Sequence, residues 1–163
     1  MNLNENYSKL KHACRLPDEA LLFLAVLGRL EYALAKLGYG ENGPCGLCIN
    51  RDRFCDERYR DKIHGVILDS DLASNFRAAP PLVAGVDQGH FGWLPRRPAS
   101  HPRDVIQAIW NFRFQLNAPS VLGNAYSRNL GQMSSEALDI INVILDHDQE
   151  ISELFHNNTG ASN

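Results

Sequence analysis

The residue best suited to chemistry is Arg113. On a helix turning about 100° per residue, Val105, Ile106, Ile109, Trp110, Phe112 and Leu116 share one arc, and Arg113 falls near its middle. A guanidinium is not buried unpaired, so this one must reach a carboxylate, water, a ligand or a partner surface. The structural reading packs the stem on the arc and pairs the head with Glu31, Asp104 or Asp139. The functional reading is phosphate, because arginine's planar donor fork matches phosphate oxygens.

Thiols and imidazoles supply the other candidates. Cys45-Gly46-Leu47-Cys48 has the two-residue gap of a zinc knuckle, and Cys55 could add a third thiolate, with Cys14, His12 or His64 as the fourth ligand. Structural zinc there would steady a segment with little core of its own. Redox chemistry at the same pair lacks the strand that precedes a thioredoxin-like motif, and plain thiols are the bland alternative. His64 lies beside Ile63 and Ile67 and reads as a packed histidine; His90 and His101 fall in a Pro/Gly-rich stretch from which either could approach a cleft. Asp146-His147-Asp148 resembles a metal set on paper, but consecutive helical residues point to different faces, so solvated surface is expected. No phosphate-binding glycine loop, nucleophile elbow or zinc-protease motif occurs.

The elements that must hold these residues are mainly helical. Leu21, Phe23, Leu24, Leu27, Leu30, Leu34 and Leu37 recur at helical spacing between Pro17 and Gly38, with Asp18 and Glu19 in the first turn. After the break Gly40-Glu41-Asn42-Gly43-Pro44, one or two helices are expected between Asn50 and Phe76, with an interruption near Gly65. Prolines at 80, 81, 95, 98 and 102 with Gly85, Gly89 and Gly92 predict an ordered loop, in which Val83–Val86 and Phe91–Leu94 can pair as a hairpin. Pro102 opens a helix running to about Asn117, and Pro119 limits it. Ser134 or Ser135 can cap a last helix through Phe155. Trp93 and Trp110 read as core or dimer anchors.

These elements predict one all-α domain over residues 1–156, a bundle of four to five helices with the Pro/Gly-rich loop before the Arg113 helix, and a frayed tail over 157–163. The chain has 163 residues, 44% of them hydrophobic and 21% charged, which suits one core. A net charge of -3 excludes a global basic field for non-specific nucleic-acid binding, so any RNA contact must be local. The longest apolar run, Leu21 to Leu27, is far short of the roughly 18 residues a membrane span needs. With no secretory pattern at the start and only four cysteines, the expected setting is the cytoplasm with reduced thiols.

The segment Phe23-Leu24-Ala25-Val26-Leu27-Gly28-Arg29-Leu30-Glu31-Tyr32-Ala33-Leu34-Ala35-Lys36-Leu37-Gly38-Tyr39 resembles the opening helix of bacterial HEPN proteins (higher eukaryotes and prokaryotes nucleotide-binding). Pro80-Pro81, Gly92-Trp93 and Pro95 follow in that family's order, and Arg113-Phe114-Gln115-Leu116-Asn117-Ala118-Pro119 stands where its signature Arg, four to six residues, then His is expected. Arg113 and Leu116 match; Phe114 and Gln115 replace two customary Asn, and Ala118 occupies the His position. The resemblance implies a metal-independent endoribonuclease fold of the toxin or phage-defence kind. Its homodimer would bring the two Arg113 helices across a shared cleft to bind RNA through Arg113, Gln115 and Asn117, with an antitoxin or companion defence protein as a further partner.

In that family the His moves protons at the ribose 2′-hydroxyl or leaving oxygen and the Arg steadies phosphoryl charge. Ala118 can do neither, so the resemblance implies inactivity as written unless His90 or His101 substitutes. Two accounts of Ala118 are open: deliberate replacement in a toxic enzyme, favoured by the retained Arg113, and natural divergence, favoured by the loss of both Asn. A reading from a different class is a non-catalytic all-helical binding and dimerisation module, in which Arg113 pairs with an internal carboxylate.

Overall fold

The structure of the chain is a computed structural model that describes residues 16–43, 46–59, 63–69, 71–78, 80–81, 83–87, 89–94, 101–116 and 129–157. Helix α1, Asp18–Leu34, starts where Pro17 fixes the backbone and offers its carbonyl to the Ala20 and Leu21 N–H groups. Its buried residues, Ala20, Phe23, Leu27, Leu30, Ala33 and Leu34, form the inward stripe read from the sequence. A π-helical turn, Ala35–Tyr39, follows, and Gly38 ends it at φ 89°, a left-handed conformation in which a side chain would be strained.

The Gly-rich break after it is a hairpin, β1 (Gly40–Gly43) with β2 (Gly46–Ile49), antiparallel with Gly40 opposite Ile49 and Gly43 opposite Gly46. Sequence reasoning expected only a break here, since glycines and exposed side chains carry no alternating apolar pattern. At Gly43 a Cβ would crowd the Cys48 side chain across the hairpin, which would have to turn aside.

The stretch expected to form one or two helices is more fragmented. It comprises α2 (Arg51–Phe54), a π-turn (Cys55–Tyr59), α3 (His64–Asp69), a 3₁₀ turn (Asp71–Ala73) and α4 (Ser74–Ala78). Asn50 caps α2 by accepting from the Arg53 N–H at 2.9 Å. The expected second hairpin is present, as β3 (Val83–Asp87) and β4 (His90–Leu94), with Val83 opposite Leu94 and Gly89 at φ 83° in the turn. The described residues are thus mostly helical, with two small hairpins added to the expected all-α class.

Helix α5, Pro102–Leu116, matches the expected Arg113 helix closely. The last helix departs from expectation at two points. It begins at Leu130 instead of Ser134 or Ser135, because Leu130 and Met133 extend the apolar stripe by a turn. Ser134 is buried inside it, its hydroxyl donating to the Leu130 carbonyl at 2.7 Å. The helix also breaks in two: α6, Leu130–His147, and α7, Gln149–His156, meet at an extended Asp148. The Asp148 carboxylate accepts from the Ile151 N–H at 3.1 Å, capping α7. Asn157, assigned to the tail by sequence, closes α7 by donating its N–H to the Glu153 carbonyl; the rest of the tail lies outside the described residues.

The core lies where α1, α5 and α6 converge. Phe112 connects its parts, with ring centroids 5.5 Å from Phe23 on α1 and 5.7 Å from Phe76 on α4. Arg29 ties α1 to the end of α7, donating Nε and Nη2 to the Phe155 carbonyl at 3.1 and 2.7 Å. No helix among the described residues is long and apolar enough to cross a membrane.

Arg58 fastens the fragmented middle to the α6–α7 junction. Its Nη1 donates to both Asp148 oxygens at 3.1 and 3.0 Å, its Nη2 to Glu150 at 2.5 Å and its Nε to the Tyr39 hydroxyl at 3.0 Å. Asp148 is therefore a cap and a half-buried ion-pair partner at once, where sequence reasoning had expected solvated surface. Replacing Asp148 with Ala is expected to lower the unfolding free energy by about 1–2 kcal/mol, seen as a lower urea midpoint. Glu150→Ala, at the exposed end of the cluster, is expected to change it by less than about 0.5 kcal/mol. Equal midpoints for the two variants would contradict this role of Asp148.

Candidate functional site

Arg113 leaves the last turn of α5 toward α1, where Glu31 meets it. Its Nη1 donates to both Glu31 oxygens at 2.7 Å, and the indole Nε1 of Trp110 donates to Glu31 Oε1 at 2.9 Å. Of the three carboxylates weighed from sequence, Glu31 is the partner. The pair is half-buried, with 32% of the Arg113 side chain and 24% of that of Glu31 exposed. The guanidinium also lies 5.2 Å from the centroid of Phe114, a ring half exposed to solvent. Trp110 is buried, so its indole N–H needs an acceptor, and the same carboxylate meets that need.

Glu31 lies in the Arg29-Leu30-Glu31-Tyr32 segment that carried the family resemblance. Both charged residues of that segment have work inside the fold: Arg29 on the end of α7, Glu31 on Arg113.

Gln115 does not share a face with Arg113. Two residues along a helix is about 200° of rotation, so the two side chains leave α5 on nearly opposite sides. Gln115 is fully buried, and its amide nitrogen and oxygen find no hydrogen-bond partner among the described residues. It therefore cannot join Arg113 in one open cleft, which helical geometry alone would have shown. Asn117 and Ala118 lie outside the described residues.

His101 has another role. It precedes α5, accepts the Arg103 N–H at Nδ1, and donates its backbone N–H to the Asp104 carboxylate, a reciprocal cap of the helix start. Twelve residues at about 1.5 Å each put it roughly 18 Å along the axis from Arg113 of the same copy. The side chains of His64 and His90 lie outside the described residues. His147 is exposed, as expected, with Nδ1 2.8 Å from the Val143 carbonyl.

The cysteine candidates are dispersed. Cys48 is exposed on β2, while Cys55 is buried in the core; Cys45 lies outside the described residues. Burial pushes the Cys55 thiol from an ordinary 9.0 up to about 12, so without a metal it stays protonated and unreactive. No grouping of three or more His, Cys, Asp or Glu suited to a metal occurs among the described residues. The segment expected to need zinc is closed instead by the β1–β2 ladder, by the Asn50 N–H on the Tyr39 carbonyl, and by Arg53 Nη1 on the Gly38 carbonyl at 3.2 Å.

Sequence reasoning missed the Arg58 cluster, whose acidic partners lie some ninety residues away, and missed Trp110 as a third member of the Glu31 group. For Trp110 a signal existed, since it sits one turn before Arg113 on the same arc.

Iodoacetamide at pH 8 is expected to modify Cys48 and spare Cys55 until the protein is unfolded, as read by peptide mass spectrometry. Because the folded thiol ionises later than the unfolded one, the stability it contributes is complete below pH 9 and is lost as pH rises toward 12. Equal labelling of both cysteines in the native protein would refute the buried placement.

Comparison with family models, with characterised proteins and with solved structures finds no match for this chain.

Proposed function

We propose that the chain is an HEPN-like helical module that no longer cuts RNA and acts by binding and assembly. The observation that supports this reading is the commitment of Arg113 to Glu31. Glu31 takes Nη1 at 2.7 Å, so a phosphate could meet Arg113 only through its remaining donors and beside a carboxylate whose charge repels it. Ala118 at the signature His position offers no proton transfer, and His101 of the same copy stands at the opposite end of α5 from Arg113. The acid-base half of the pair is thus missing and the charge-stabilising half is shared with an internal carboxylate, which supports a module that binds without cutting.

A second reading keeps the nuclease. About a third of the Arg113 side chain reaches solvent beside exposed Phe114, so RNA could engage it after exchange with Glu31. On this reading the chain is a toxin or phage-defence endoribonuclease disarmed by Ala118, working in the cytoplasm against RNA and held by an antitoxin or companion protein.

The two readings part on one variant. Ala118→His, incubated with structured and single-stranded RNA with and without chelator, is expected to leave the RNA intact and to be harmless when expressed. Chelator-resistant cleavage by that variant, lost again on adding Arg113→Met, would overturn the binding-module reading and establish the nuclease.

A further inference from the structure

We propose that the outer face of α1 is a seam on which a second copy of this chain docks antiparallel. The inference deepens the assembly part of the function above. Among the described residues, three of the large apolar side chains most open to solvent are on this one helix: Leu21 at 53%, Leu22 at 55% and Tyr32 at 48%. Leu21, Ala25, Gly28 and Tyr32 follow the 4-3-4 spacing of a helix-pairing seam and fall within an arc of about 60°. All four are exposed.

Gly28 adds an independent reason. Glycine is among the least favourable residues inside a helix, yet a Cβ placed here would have nothing within 4 Å. The fold of one copy therefore gives no cause for a missing side chain. A second helix backbone approaching Gly28 and Ala25 closely would.

Charge selects the occupant. Asp18 and Glu19 occupy the first turn of α1, the last turn carries no basic residue, and exposed Lys36 follows in the next turn with its Nζ 5.5 Å from the Tyr32 ring. Antiparallel pairing about a two-fold axis between Ala25 and Gly28 sets Leu21 against the partner's Tyr32 and Ala25 against the partner's Gly28, and brings Asp18 within one residue of the partner's Lys36, inside the reach of its long side chain. Each contact is repeated in reverse by the axis. A parallel pair would oppose Asp18 with itself. This helix is complementary to its own copy, so the partner is a second molecule of the same chain. The seam differs from the one expected across the Arg113 helices: the outer arc of α5 offers one large exposed apolar residue, Phe114, and Arg113 is occupied by Glu31.

Sedimentation equilibrium of the full chain over a micromolar to millimolar range is expected to show a reversible dimer. Gly28→Leu, which the open space around Gly28 lets a monomer accept, should weaken it at least about tenfold while raising the circular dichroism melt of the dilute protein by a few degrees, since leucine favours the helix. Asp18→Lys and Lys36→Asp should each weaken association several-fold, and the double exchange should restore most of it, the signature of antiparallel charge pairing. A monomer throughout the range would overturn both the seam and the assembly reading. A dimer indifferent to Gly28→Leu and to the charge exchange would overturn the seam alone.

Discussion

A single carboxylate, that of Glu31, joins the two helices around which the described fold is arranged. It accepts from Arg113 and Trp110 on α5 while projecting from α1, so it converts two polar groups on an otherwise apolar arc into satisfied ones. The energetic point lies in the asymmetry of such groups. Made, the contacts contribute modestly; with one partner removed, a half-buried charge or indole N–H is left without compensation. The same two helices pack their cores together through Phe112, tilted against Phe23 and edge-on to Phe76.

The second fastening has a different logic. The region between β2 and α4 is built of short turns that could not persist alone, since a helix of four to six residues does not repay its nucleation. It is held from outside. Arg58 reaches the Asp148 cap at the α6–α7 break, Glu136 of α6 accepts from the Ser74 hydroxyl and the Asn75 N–H at the start of α4, and Arg103 of α5 meets Asp56. The long helices thus supply the partners that the short ones lack, and the functional consequence is that arginines are spent inside the molecule. Arg29, Arg58 and Arg113 each have defined acceptors within the chain.

How much of this could be read from the residues depends on the range of the interaction. The α1 and α5 boundaries were legible, because Pro17, Gly38 and Pro102 act on their own neighbours and the apolar spacing is local. The Val83–Leu94 hairpin was legible for the same reason. The β1–β2 ladder was not, since its glycines and exposed residues leave no pattern, and the break at Asp148 was hidden by apolar spacing that runs straight through it into α7. At the candidate site, Arg113 was found by its misplaced charge and Glu31 stood among three choices, but nothing local selects one carboxylate from positions so far apart in the chain. Gln115 was misassigned to a shared cleft through a failure to apply the 200° rotation. Motif spacing carries no information on burial, so that of Cys55 was not legible.

The central claim is that Arg113 is bound up with Glu31. It is tested most directly by a double-mutant cycle in urea, using Arg113→Met, Glu31→Gln and the pair together. The expected result is a cost of about 1–3 kcal/mol for each single variant, with a double variant little worse than the poorer single, giving a coupling of about 1–2 kcal/mol. Costs that simply add, with coupling near zero, would mean that the guanidinium is not held by this carboxylate and is free for another partner.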